Sequence, residues 1–113
     1  MSGREVTKLI AELDITEGDV VVVTWVDTED DCSWNKIKEI RTYRPPLAKH
    51  IGWFLNEDDL CVRILTGVVG TDGKVDNLQA GYSMIPKQSI VAVEKVRDDE
   101  LEVLTEGVVR DEE

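Results

Sequence analysis

Cys32, His50 and Cys61 are the side chains in this 113-residue chain that could act as a nucleophile, a general base or a soft metal ligand. A thiolate activated by imidazole needs the two groups in hydrogen-bond reach and a third group to orient the base. No spacing signal unites Cys32 with His50, and a lone histidine is more often a core or sheet-edge residue than a catalyst. Zinc sites are read from close pairs such as C-x₂-C, and these three residues stand apart. Asp27, Glu29, Asp30 and Asp31 approach the carboxylate density of a calcium loop. They lack its glycine at the sixth position and its bidentate glutamate at the twelfth, so they read as a solvated acidic loop. The inventory predicts no catalytic set, no metal and no cofactor, hence a non-enzymatic protein.

Recognition chemistry is better represented. Trp25, Trp34 and Trp53 are many large rings for a chain this short, and Trp25 and Trp34 flank the acidic loop. Directly after it come Lys36, Lys38, Arg41, Arg44, Lys49 and His50, interrupted by Glu39. A charge run on a helix is usually its wet face, but here an aromatic stands beside it. The expected contact surface is therefore Trp34, Lys38, Arg41 and Arg44, with Lys49 and His50 at the edge of the next strand.

The formal net charge is −11, which opposes non-specific binding to duplex nucleic acid. Residues 97–113 hold eight acids against Arg97 and Arg110, so a net −6 lies in the last seventeen residues. The longest apolar run, Val20 to Val26, is far short of the ~20 residues a membrane helix needs. The first residues lack the apolar stretch of a secretory signal. The expectation is no membrane association, a cytoplasmic location and free thiols at both cysteines.

The elements that must position these residues follow from periodicity. Val6, Leu9, Ile10 and Leu13 form a helical stripe ending near Asp14. Asp19 to Asp27, rich in valine, reads as a central strand with Trp25 in phase with Val21 and Val23 and so in the core. Asp31 or Ser33 is placed to cap a short helix that aligns Trp34, Ile37 and Ile40, ended by Pro45-Pro46. In that arrangement Trp34 packs beneath its helix as a lid. Leu47 to Leu55 is the second strand, alternating Leu47, Ile51, Trp53 and Leu55 with Ala48, His50, Gly52 and Phe54. Burial is expected for Trp53, and Gly52 marks a bend or bulge. A turn at 56–59 leads to an antiparallel strand over 60–69. Tyr82 to Ile85 and Ile90 to Val96 follow as strands, joined by a single 3₁₀ turn at 86–89. Residues 99–104 are expected to form an edge strand or docked segment.

These elements predict a mainly β fold: a small SH3-like β-barrel over 19–96, an N-terminal helix and turn over 1–18, a short helix in the first inter-strand connection, and an acidic C-terminal extension over 97–113. The order Thr24-Trp25-Val26-Asp27, Ser33-Trp34, Gly52-Trp53 with Glu57-Asp58-Asp59, then Ile85-Pro86 and Ile90 resembles small uncharacterised proteins of bacteriophages and prophages. The resemblance covers about residues 20–96. It implies origin and fold but supplies no activity or site.

The functional expectation is a phage-type binding protein acting on a host or viral protein, with unpaired strand edges favouring a homodimer or small ring. The alternative is an acidic inhibitor, a DNA mimic or a ligand-sequestering protein that blocks a host defence or nucleic-acid enzyme. A small anionic ligand would then sit at 36–50, or the acidic surface would be the contact.

Overall fold

The computed structural model describes residues 1–70 and 73–97. The expectation for residues 99–104 lies outside them. Helix α1 spans Gly3–Glu12. It begins before the apolar stripe because Ser2 and Glu5 form a capping box: Ser2 Oγ accepts from the Glu5 N–H at 3.2 Å, and the Ser2 N–H donates to Glu5 Oε1 at 3.3 Å. Two orphan donors of the first turn are thereby satisfied. Val6 and Ile10 are buried on the inner face of the helix.

Among the described residues, five antiparallel strands follow: β1 (Val20–Val26), β2 (Leu47–Glu57), β3 (Cys61–Val69), β4 (Gln79–Pro86) and β5 (Ile90–Lys95). Their order in the sheet is β4-β3-β2-β1-β5. The valine run is central, as its composition predicts, with β2 on one side and β5 on the other. The hairpin of β2 and β3 also forms as expected. Register slips leave an extra residue at Leu55, Thr66 and Val91, and such bulges sharpen local twist and bend the sheet.

The sheet does not close into the expected barrel. β4 and β5 are its two edges among the described residues, joined by a 3₁₀ turn over Lys87–Ser89. Helix α1 packs on β5 and on this turn, so a helix covers this end of the core. The ammonium of Met1 ties the chain start to the same place by donating to the Ile90 carbonyl at 2.6 Å.

The core lies on one face of the sheet, where Val21, Val23, Phe54, Val62, Ile64, Ile85, Ile90 and Val93 meet Val6, Ile10 and Ile15. Full burial of each aliphatic side chain is worth about 1.5–3 kcal/mol. The inner residues of β2 are Gly52 and Phe54, with Ala48 and His50 half-buried. Leu47, Ile51 and Trp53 face outward, and Trp53 remains 42% exposed, against the expected burial. The ladder explains the choice, because inward-facing Val21 and Val23 pair with Gly52 and His50, and direct cross-strand partners share a face. Gly52 is required there, since a Cβ on it would collide with the Leu65 carbonyl oxygen. The β2–β3 ladder begins at the next residue, with Trp53 opposite Leu65.

Candidate functional site: the arm between the first two strands

Residues 27–46 lie between β1 and β2. Hairpin loops usually take two to five residues, and connections beyond ~12–15 with little regular structure are usually functional or unstructured. This one is an ordered arm. Its root is closed by the Asp27 N–H donating to the Pro46 carbonyl at 2.9 Å. Asp31 organises the turn that follows: its carboxylate accepts from the Ser33 N–H at 2.9 Å, the Ser33 hydroxyl at 2.6 Å and the Asn35 side-chain amide at 3.1 Å. The Ser33 hydroxyl, the Ser33 N–H and the Asn35 amide, in that order, hold the Asp31 carboxyl below its ordinary range.

Asp31 and Ser33 therefore build this turn instead of capping a helix. The short helix α2 spans Ile37–Ile40, and Lys36 at its N-cap makes no side-chain capping bond. Trp34 precedes it and is fully exposed. The expected lid does not form, because none of the described residues covers the indole. Ile37 is 70% exposed, Tyr43 54%, and Ile40 is also open. A shallow cleft within the arm is lined by Asp31, Asn35, Ile40, Tyr43, Arg44 and Pro45, with Glu29 and Asp30 at its margin.

Of the six residues expected to bind, Trp34, Lys38, Arg41 and Arg44 share this arm and are all exposed. Residues 34–44 carry a net charge of +3 in a chain of −11. Lys49 is exposed on the outer side of β2, opposite Thr24. His50 belongs to the opposite face. Its Nδ1 accepts from the Trp25 indole N–H at 2.7 Å, and the two rings lie 5.5 Å apart. Trp25 is half-buried against the core, so the bond anchors the sheet near the arm and removes His50 from the exposed cluster.

Two features escape the sequence reading. The outer side of the sheet carries a row of Tyr82, Leu65, Trp53 and Val20, directly paired across four strands. Adjoining it is a groove of about 620 Å³ lined by Trp53, Leu65, Val68, Val75, Leu78 and Ala80, with Glu17 and Asp76 among its remaining walls. Alternation of apolar residues in the second strand signals such a row, but only the register decides which alternate set faces out. The second feature is Lys87, which sits in a predicted turn yet is only 3% exposed.

Cys32 is exposed on the arm and Cys61 half-buried at the start of β3, both as free thiols. Burial, the largest influence on it, raises the Cys61 thiol above its ordinary value. Among the described residues no three histidine, cysteine or carboxylate side chains converge as a metal site, and no helix is long and apolar enough to cross a membrane. Comparison with known protein families, with curated proteins and with solved structures gives no match.

Proposed function

We propose that this chain is a non-enzymatic, phage-type binding protein whose β1–β2 arm engages a host or viral protein. The observation that carries this reading is the arm itself: an ordered excursion that leaves Trp34, Ile37, Ile40 and Tyr43 open to solvent beside Lys38, Arg41 and Arg44. Large apolar side chains grouped at the surface gain free energy when a partner covers them, and tryptophan, tyrosine and arginine are the residues most enriched at binding hot spots. The strand order, together with the single 3₁₀ turn between β4 and β5, supports an SH3-like arrangement of the sheet. In such small β folds the first long connection borders a peptide-binding groove.

The test is quantitative capture of partners from host lysate by the intact protein and by Trp34→Ala and Lys38→Ala. Both side chains are exposed, so thermal stability should stay within about 0.5 kcal/mol of the parent. Capture should fall. Unchanged capture by both variants would remove the arm as the site.

The charge of −11 favours a second reading, an acidic inhibitor or DNA mimic of a nucleic-acid enzyme. Contact built on many charges weakens steeply as salt rises toward physiological strength, whereas contact built on Trp34 and its apolar neighbours does so far less. Measuring partner affinity across that range separates the two.

A further inference from the structure

We infer that the arm of one copy docks in the outer-sheet groove of a second copy, giving a head-to-tail assembly. The inference rests on the reading of the arm as a contact surface and names this chain as a partner. The groove is apolar along Trp53, Leu65, Val75 and Leu78, and Glu17 and Asp76 give it negative charge. The stretch 34–38, which follows the arm's acidic start, offers the complement: Trp34 and Ile37 as apolar anchors, with Lys36 and Lys38 as neighbouring cations. At about 620 Å³ the groove falls within the ~300–1,000 Å³ of clefts that hold a compact ligand group.

A single copy is poorly arranged to fill its own groove. The arm leaves β1 at Val26, whereas the groove lies beside Gly18 and Trp53, and Trp53 pairs with Val20 at the other end of the strand. Six residues of strand at ~3.3 Å each put arm root and groove about 20 Å apart. Donor and acceptor at opposite ends of one molecule make a heterologous contact, which repeats until it closes a ring or continues as a filament.

Sedimentation velocity of the full chain over a wide concentration range tests this, with Trp34→Ala breaking the arm and Val75→Asp breaking the groove. Val75 is exposed, so the second variant should fold, as circular dichroism and melting would verify. Each variant alone should associate about tenfold or more weakly than the parent. Their mixture should regain pairs, because the intact groove of one accepts the intact arm of the other. Lys38→Glu should likewise weaken association and be rescued by mixing with Asp76→Lys.

A monomer at every concentration would overturn the inference, while loss of lysate capture in Trp34→Ala would still uphold the arm as a contact surface. Association without rescue in the mixtures would also overturn it, in favour of a symmetric sheet-to-sheet dimer. Association lost only when the chain is ended at Arg97 would overturn it too, by assigning the groove to the C-terminal segment.

Discussion

The indole N–H of Trp25 donates to Nδ1 of His50 across 2.7 Å, and this bond joins the penultimate ladder position of β1 to its neighbour β2 near the root of the arm. Because Nδ1 accepts, the ring proton of neutral His50 is on Nε2. The bond gives the single histidine a structural use. His50→Ala should lower stability by about 1 kcal/mol, the net worth of one such bond plus partial exposure of its partner. Trp25 fluorescence should shift at the same time, and partner capture should hold if the arm carries recognition. A variant with parental melting and emission would show that the bond contributes nothing.

Lys87 connects three elements. Its Nζ donates to the Thr7 hydroxyl at 2.7 Å and lies 3.7 Å from Glu57 Oε1, linking α1, the 3₁₀ turn and the end of β2. The other Glu57 oxygen is buried without a hydrogen-bond partner. Removing one member of a buried pair leaves the other charge uncompensated, which typically costs about 3–5 kcal/mol, whereas an apolar replacement of both is far milder. Lys87→Ala should therefore lower the denaturant midpoint strongly. The double variant Lys87→Met with Glu57→Leu should recover most of the loss, and equal destabilisation by both would refute the uncompensated-charge explanation.

Asp58 organises the β2–β3 turn. Its carboxylate accepts from the Leu60 N–H at 2.8 Å, the Cys61 N–H at 3.0 Å and Arg63 Nη2 at 2.6 Å. The Leu60 N–H, then Arg63, then the Cys61 N–H hold the carboxyl far below its ordinary value. A depressed folded-state value stabilises the fold above the unfolded-state value, near pH 3.9, and the contribution fades as pH falls toward the folded value. Melting temperature should accordingly be insensitive to this group above about pH 5 and decline below about pH 4. Asp58→Ala should flatten that acid limb and lower the neutral-pH plateau. An unchanged acid limb would show that Asp58 does not govern it.

The strands and the hairpin were legible because β-branched runs and turn residues are local signals. Val20 to Val26 can hardly form a helix, and 56–59 can hardly avoid a turn. Other features depend on contacts that the chain makes at a distance. The spacing of Trp34, Ile37 and Ile40 shows that they could share a helical face, but not whether anything covers it, so the expected lid became an exposed arm. In the second strand both alternate sets contain apolar residues, and the choice of inner face falls to the pairing of Val21 with Gly52. Lys87 reads as a wet turn residue until Thr7 and Glu57 are placed around it. Four of the six expected binding residues do come together. Lys49 and His50, consecutive in a strand, necessarily part to opposite faces.

Gly52 offers the sharpest test of the sheet that carries both surfaces. The Leu65 carbonyl oxygen occupies the space a Cβ would take, and the side chain of Ile64 lies just beyond it. This is backbone, so relief requires β2 to move away from β3 at the start of their ladder, next to the Trp53–Leu65 pair that lines the groove. Gly52→Ala should destabilise the fold by about 1–3 kcal/mol, the range for forcing extra volume into a packed site. Gly52→Val should cost more. Amide exchange should quicken first at Trp53 and Leu65, while α1 keeps its protection. Parental stability in Gly52→Ala would mean that β2 and β3 do not approach so closely, and the groove wall built from Trp53 and Leu65 would have to be redrawn.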